Sequence, residues 1–226
     1  MDQEAAPCIE PPATQWHFPP PDSGTPSDLV AVGADLEPGT LLPAYRSGYF
    51  PMPVDRAEAV GWWSPDPRGV IELGDLAVSR SLRRSMRRYE VRVDTAFEAV
   101  ITACADPGRE HGWISGAIER AYIDLHNRGW VHSVEAWDDE GLAGGLYGVS
   151  IGNFFAGESM FHVRTDASKA ALVALVDLLG ENPGGFIDVQ WITPHLESLG
   201  ATDLPRERYL ERLHASIELP GPDWSA

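Results

Sequence analysis

The sequence predicts an α+β fold, because segments with a helical spacing of apolar residues stand beside segments in which apolar residues alternate as in strands. Three strands joined by short turns are predicted at 130–137, 142–151 and 153–163. The apolar stripe within 167–179 then predicts a helix, and the alternation at 187–191 predicts a further strand. A meander, a helix and one more strand form the predicted core.

The first half of the chain is predicted to contain helices separated by short strands. Thr40 is a suitable cap for a helix that ends before Gly48, and Ser79 is a suitable cap for a helix that reaches about residue 89. Strands are predicted at 70–73 and 91–93. Further helices are predicted at 95–103, from 113 to 128, from 194 and at 205–217, and aromatic, proline-bracketed loops at 49–53 and 61–67.

The composition predicts a globular protein, since 43% of the 226 residues are hydrophobic. No apolar run approaches the roughly 20 residues of a membrane-spanning helix, and the acidic N-terminus does not resemble a secretory signal. With Cys8 and Cys104 as its two cysteines, the chain is expected to lack a structural disulfide. We therefore expect a cytoplasmic protein without membrane contact. The proline-rich start predicts a disordered tail over 1–15.

Positive charge is concentrated in one segment of this acidic chain. The formal net charge of -17 argues against general affinity for nucleic acids, because phosphate binding depends on Lys and Arg. Six of the 17 basic residues nevertheless lie within 80–92, and no acidic residue lies between Ser79 and Tyr89. Such a helix face is either a solvated surface or a phosphate-binding surface, and the single sign favours the second. Its arginines are Arg80, Arg83, Arg84, Arg87 and Arg88.

Polar residues interrupt two strongly apolar segments. Glu158 lies between aromatic residues, and Asp188 and Gln190 alternate with apolar residues in a predicted strand. Strand residues two apart share a face, so Asp188 and Gln190 project together, roughly 6.5–7 Å apart. Buried polar groups need partners. Two carboxylates and an amide on apolar strands therefore predict a site for a cationic or amine substrate.

Several common chemistries are excluded by their missing motifs. The scattered cysteines and histidines do not form a zinc ligand set, and neither a nucleophile elbow nor a phosphate-binding loop occurs. We therefore expect neither a metal nor a cofactor. The amides near Lys169, at a predicted helix start, suit either anion binding or capping. Trp62 and Trp63 suit either core packing or stacking on a base.

The order of ten short sequence blocks resembles the bacterial leucyl/phenylalanyl-tRNA–protein transferase family, from about residue 29 to 213. The first blocks are Phe50-Pro51, Trp62-Trp63-Ser64-Pro65-Asp66-Pro67-Arg68, Val78-Ser79-Arg80-Ser81-Leu82, Trp113-Ile114 and His132-Ser133-Val134-Glu135. The later blocks are Gly144-Gly145-Leu146-Tyr147-Gly148, Gly157-Glu158-Ser159-Met160-Phe161, Ala167-Ser168-Lys169, Ile187-Asp188-Val189-Gln190 and His195-Leu196-Glu197-Ser198-Leu199-Gly200-Ala201.

The resemblance implies an enzyme that transfers Leu, Phe or sometimes Met from aminoacyl-tRNA to the N-terminal Arg or Lys of a protein. The product would be marked for degradation by the N-degron pathway. The resemblance also implies a small N-terminal domain over 16–68, packed on a GNAT-type acyltransferase domain over 69–226 with a mostly antiparallel mixed sheet. A monomer is expected. By analogy with the family, Trp63 and Trp113 would stack on the terminal adenosine.

The resemblance also gives roles to the polar and apolar residues of the core. Glu158 and Asp188 suit an acceptor that is positively charged at its α-amine and its side chain. In the family proposal, Asp188 polarises Gln190, which takes or relays the amine proton; alternatively, Gln190 positions the amine and Asp188 stabilises its charge. The transferred side chain would enter an apolar pocket formed by Leu146, Phe155, Met160, Leu172, Leu175 and Ile187.

Two alternative functions remain open at the level of the sequence. An acetyl-CoA-dependent GNAT enzyme would need a glycine-rich pyrophosphate loop, but residues 164–169 contain no glycine. A non-catalytic module that binds tRNA or protein would keep the basic helix and not depend on Asp188.

Overall fold

A computed structural model describes residues 8–21, 27–54, 59–109, 112–180 and 182–225 of the chain. Within these ranges, no helix has both the length and the apolar character needed to cross a membrane. Along the described residues, runs of consecutive strands are separated by helices, which is typical of an α+β fold.

The strands are β1 (Leu29–Val32), β2 (Phe50–Val54), β3 (Ala59–Trp63), β4 (Arg68–Glu72), β5 (Glu90–Val93), β6 (Val131–Asp138), β7 (Gly141–Ile151), β8 (Phe154–His162), β9 (Phe186–Gln190) and β10 (Thr202–Leu204). The helices are α1 (Pro38–Arg46), α2 (Arg80–Met86), α3 (Phe97–Cys104), α4 (Gly116–Asn127), α5 (Ala167–Gly180), α6 (Pro194–Glu197) and α7 (Arg206–Ser216), with a 3-10 turn at Leu73–Asp75.

The strands form two sheets. The larger has the order β10-β4-β9-β8-β7-β6-β5, and the smaller, near the N-terminus, has the order β1-β3-β2. Neighbouring strands are antiparallel except for β8 and β9, which run parallel. The predicted α+β class, with a mixed sheet and a small N-terminal part, is confirmed.

The prediction of two aromatic loops at 49–53 and 61–67 is wrong for 50–53, which lie in β2, and for 61–63, which lie in β3, whereas 64–67 form a loop as predicted. Proline normally argues against a strand, since it has no backbone donor. Pro51 and Pro53 are tolerated because β2 is an edge strand that pairs with β3 alone. The strand β10 was also not predicted.

Helix starts agree with the prediction at α2 but not at α1 or α4. Ser79 caps α2 by accepting a hydrogen bond from Leu82 N at 3.1 Å, as predicted. Helix α1 instead starts at Pro38, whose fixed φ suits the first turn, so Thr40 lies inside the helix. Helix α4 is capped by Ser115, which leaves Trp113 outside it.

The larger sheet has a hydrophobic cluster on each face. In β8, Phe155 packs in the cluster that includes the inner side of α5, whereas Phe154 and Ala156 pack with residues of α1, α3, α4 and α7. This alternation is the period-2 pattern of a strand buried on both sides.

The N-terminal segment lies against the body of the protein where it is described. Ile9 N donates to Arg128 O at 2.9 Å, and Phe18 contacts the rings of Tyr49 and Trp62 with centroid distances of 5.5 and 4.8 Å. Of the predicted tail over 1–15, residues 1–7 lie outside the described ranges.

A buried ion pair connects the neighbouring strands β4 and β9 of the larger sheet. Arg68 Nε and Nη2 donate to the two carboxylate oxygens of Asp188 at 2.8 and 2.6 Å, and both side chains are almost fully buried. The guanidinium lies between the rings of Phe50 and Tyr209, 4.6 Å from each centroid, and also donates to Gly48 O. One cation thus joins the N-terminal region, the sheet and α7.

Replacing Arg68 by Met is expected to lower the free energy of unfolding by about 3–5 kcal/mol, because it leaves the Asp188 charge buried without a partner. The double variant Arg68→Met/Asp188→Asn should recover part of this loss. Urea denaturation measures both changes. As a matched control, Arg212→Met breaks the half-exposed pair with Glu72 and should cost about 1 kcal/mol or less. Equal losses at the two arginines would contradict this account.

Candidate active site

A pocket of about 350 Å³ lies where β8 and β9 cease to pair. The parallel pairing extends from Phe154 and Phe186 to Ala156 and Asp188, and no further pair joins the two strands. Beyond that point, residues of both strands and of α5 line the pocket. The interruption of the sheet thus creates space beside the ends of two strands.

Both strands carry a bulge at this place. Tyr147 pairs with Ser159 and Gly148 with Gly157, so Glu158 is an extra residue in β8. In β9, Val189 is the extra residue, because Gly69 pairs with Gln190 and Val70 with Asp188. A bulge changes the direction of a strand and re-aims its side chains, which is common next to functional sites.

The wall of the pocket is largely apolar. All six residues predicted to surround an apolar side chain contribute to it, from β7, β8, α5 and β9, together with Ile71 and Leu196. The six are Leu146, Phe155, Met160, Leu172, Leu175 and Ile187. The structure therefore brings this predicted set together, whereas its role in binding stays a prediction.

Glu158 is the polar group to which two tyrosine hydroxyls converge. Tyr45 donates to Glu158 Oε1 at 2.7 Å, and Tyr122 donates to Oε2 at 3.0 Å; the two hydroxyls also contact each other. Burial raises the pKa of Glu158 from 4.5 to about 7, with a further contribution from the nearby charge of Asp188. The two donated hydrogen bonds and the charge of Arg68 act in the opposite direction.

Gln190 lines the same pocket with an unsatisfied amide. Its φ angle of 60° is left-handed, an uncommon conformation for a residue other than glycine. Its backbone N–H donates to Asp188 Oδ1 at 2.9 Å, and its side-chain Nε2 is buried without a hydrogen-bond partner among the described residues. A strained backbone and a free buried donor are features of residues that bind ligands.

Asp188, in contrast, is not among the residues that line the pocket. Its oxygens accept from Arg68, from Tyr209 Oη at 2.9 Å and from Gln190 N, and its side chain is fully buried. The two predicted carboxylates therefore differ in their position relative to the pocket. Glu158 faces the pocket, and Asp188 supports the strand behind it.

Sequence reasoning missed four further polar residues of the site. Arg109 lines the pocket and donates to Met160 O at 2.7 Å and to Cys104 O at 2.9 Å. The others are Arg68, Tyr45 and Tyr122. Their partners lie 36 to 120 residues away in the chain, so no local pattern indicates the contacts.

The residues predicted to bind RNA are not among those that line the pocket. Trp63 packs against Trp191 with centroids 5.8 Å apart, and its Nε1 donates to Met52 O at 3.3 Å. Trp113 is half-buried in the segment before α4. The arginines predicted to bind phosphate are exposed on and just after α2, and none has an acidic partner among the described residues: Arg80, Arg83, Arg84, Arg87 and Arg88.

An apolar pocket that ends at a carboxylate and a free amide suits an enzyme that joins an apolar acyl group to a cationic amine. Residues 70–214 match the family model "Leucyl/phenylalanyl-tRNA protein transferase", and residues 34–66 match the model of the N-terminal domain of the same family. The chain belongs to this family.

Individual relatives are similar over almost the whole chain. A leucyl/phenylalanyl-tRNA–protein transferase of Aromatoleum aromaticum is 49% identical over 216 residues, which cover 92% of this chain and 91% of that protein. One of Desulfatibacillum aliphaticivorans is 48% identical over 208 residues, with coverages of 90% and 89%. A solved structure, "The structure of L-PGS from Bacillus licheniformis", has a TM-score of 0.37 at 13% identity, over 67% of this chain and 52% of that chain.

The raised pKa of Glu158 gives a testable dependence of stability on pH. The protonated form is favoured in the folded state, so this contribution is complete below about pH 4.5 and is lost as the pH rises through about 7. At about 1.4 kcal/mol per pKa unit, the wild type should lose about 3 kcal/mol relative to Glu158→Gln between pH 4.5 and 8. Urea denaturation across this range measures the difference. The exposed Glu218→Gln is the matched control, and parallel curves for Glu158→Gln and the wild type would contradict the assignment.

Proposed function

We propose that this protein transfers Leu, Phe or Met from aminoacyl-tRNA to the N-terminal Arg or Lys of acceptor proteins. The transfer forms a peptide bond and marks the acceptor for degradation by the N-degron pathway. Membership of the transferase family supports this reaction. The structural observation that carries the proposal is the apolar pocket that adjoins Glu158 and the free amide of Gln190.

The donor side chain would occupy the apolar part of the pocket. A volume of about 350 Å³ leaves room for Leu, Met or Phe, and no charged group of the donor has to be matched there. Apolar pockets discriminate weakly between side chains of similar shape, which is consistent with a donor set of three residues. The wall formed by Leu146, Leu172 and Leu175 would limit the size of the donor side chain that the pocket can hold.

The RNA part of the donor would bind outside the pocket. The exposed arginines from Arg80 to Arg88, which have no acidic partner in the part of the chain that the structure describes, suit the phosphates of the tRNA, since each contact releases counterions. We assign the stacking of the terminal adenosine to Trp63 and Trp113 by analogy with the family. The acidic remainder of the surface would disfavour other polyanions.

The acceptor brings two positive charges, one on its α-amine and one on its side chain. Glu158 is the carboxylate that lines the pocket, and the Gln190 amide would orient the amine for attack. Asp188 would act indirectly, because Arg68 and Tyr209 occupy its oxygens and its bond to Gln190 N supports the left-handed backbone. Orientation of the two substrates accounts for much of the rate in such a reaction.

We also propose a GNAT-type catalytic domain over 69–226 beside a small N-terminal domain over 16–68. The matched family models, which end at 66 and begin at 70, support a boundary at this point. A cytoplasmic location and a monomeric state stay predictions from the sequence.

Transfer of labelled Leu or Phe from charged tRNA to a peptide beginning with Arg tests the proposed reaction, with an otherwise identical peptide beginning with Ala as its control. We expect product with the Arg peptide and at least a tenfold lower rate with the Ala peptide. Bound charged tRNA without transfer would indicate a binding module. Transfer of an acetyl group from acetyl-CoA would instead indicate an acetyltransferase.

The charge reversal Arg83→Glu/Arg84→Glu is expected to raise the KM for charged tRNA at least tenfold and to flatten its dependence on salt, because phosphate contacts are lost. Transfer from aminoacyl-adenosine, which lacks the tRNA body, should change less than twofold. Arg208→Glu, at an exposed position of α7, is the matched control for added negative charge. Equal effects of the reversal on both donors would contradict a tRNA interface on α2.

A further inference from the structure

We propose that Glu158, held by the hydroxyls of Tyr45 and Tyr122, is the proton acceptor for the amine of the acceptor. Tyr45 and Tyr122 are positioning residues in this assignment. The inference rests on the proposed transfer reaction, and it gives a role in proton transfer to a group of the same pocket.

Asp188 is poorly suited to accept the proton. Three side-chain donors from Arg68 and Tyr209 and the backbone N–H of Gln190 occupy its two oxygens, and its side chain is fully buried. The bidentate guanidinium contacts both carboxylate oxygens, so neither oxygen is free to face an amine in the pocket. Its contact with Gln190 is through the backbone, so the ion pair does not polarise the side-chain amide directly.

Gln190 is suited to orient a substrate rather than to take a proton. A neutral amide is a very weak base, and its Nε2 is a donor, not an acceptor. This donor is buried without a partner among the described residues, so a ligand oxygen in the pocket would satisfy it. The ester carbonyl of the donor is one such oxygen.

Glu158 has the position and the free capacity that the other two groups lack. Each of its oxygens accepts one tyrosine hydroxyl, which leaves further lone pairs for an ammonium group in the pocket. The groups that act on it from the surrounding elements are Tyr45 of α1, Tyr122 of α4, Tyr147 of β7, Asp188 of β9, Arg68 of β4 and Tyr209 of α7. A pKa of about 7 supports a base that works near neutral pH.

The proton balance of the step is complete without another reactant. The acceptor enters as an ammonium ion and gives one proton to the Glu158 carboxylate, which later releases it to solvent. The free amine attacks the ester carbonyl carbon, and a carbon–nitrogen bond forms. As the bond to the ribose oxygen breaks, a second proton passes from the nitrogen to that oxygen. The products are the extended peptide and the uncharged tRNA.

The role of Glu158 as proton acceptor is tested by measuring transfer to two nucleophiles, the Arg peptide and hydroxylamine, in the variant Glu158→Gln. The variant should transfer to the Arg peptide with a kcat at least 100-fold lower, as expected for loss of a general base. Hydroxylamine is mostly uncharged at neutral pH and needs no base, so the enzyme-dependent formation of aminoacyl hydroxamate should fall less than threefold. Charged tRNA is the donor in both assays, and the reaction without enzyme is subtracted.

The pH profile gives a second, independent readout. The kcat/KM of the wild type for the Arg peptide should rise with pH in a limb through about 7, because Glu158 must be ionised. In Glu158→Gln this limb should be replaced by one at higher pH, which follows the pKa of the peptide α-amine at about 7.7–8.0. Tyr45→Phe removes a hydrogen bond that lowers the pKa of Glu158, so its limb should move to higher pH by about half a unit or more. Gln190→Ala should be slower but keep the wild-type limb.

Three results would overturn the assignment. The first is an unchanged kcat of Glu158→Gln with a raised KM for the peptide. The second is an equal fall in the rates of transfer to the Arg peptide and to hydroxylamine. The third is a pH profile of Tyr45→Phe whose rise lies at the same pH as that of the wild type. The first would make Glu158 a binding group for the cationic side chain only. Failure of the proposed function is distinct from all three, because the wild type itself would then form neither the peptide product nor the hydroxamate.

Discussion

The ion pair between Arg68 and Asp188 is the constraint on which the rest of the structure depends. It is buried, so each charge is tolerated only because the other is present. Its geometry fixes the register of β4 against β9, and the rings of Phe50 and Tyr209 fix the guanidinium from two distant parts of the chain. Gln190 N donates a hydrogen bond to Asp188, so the fixed carboxylate also positions the backbone of the residue that lines the pocket.

The site separates two tasks that a carboxylate can perform in a protein interior. Asp188 is surrounded by donors and serves as a fixed structural anion, whereas Glu158 has weaker donors, lies next to the pocket and has a pKa raised by burial. Two acidic groups on adjacent strands thus acquire different chemistry from their surroundings, not from their own structure. The small N-terminal part contributes to this difference through Tyr45, so it forms part of the site.

Patterns in the sequence predicted the main strands and helices well, because their apolar periods are long and regular. They also selected Glu158, Asp188 and Gln190, since polar residues within apolar strands need a reason for burial. They did not predict β2 and β3, where prolines hide the strand signal, or the partnership of Arg68 with Asp188. Contacts across 120 residues and the register of a bulge depend on tertiary pairing, which local periodicity does not encode.

The bulge at Glu158 limits which changes of sequence this pocket tolerates. Apolar side chains such as Leu172 and Leu175 project from a regular helix and can change size one at a time without moving the polar groups. Loss of one residue from the segment 157–159 would instead remove the extra position, so that β8 would pair regularly with β7 and the bulge that directs Glu158 would be lost. The pocket wall can therefore accommodate substitutions more easily than the strand beside it can accommodate an insertion or a deletion.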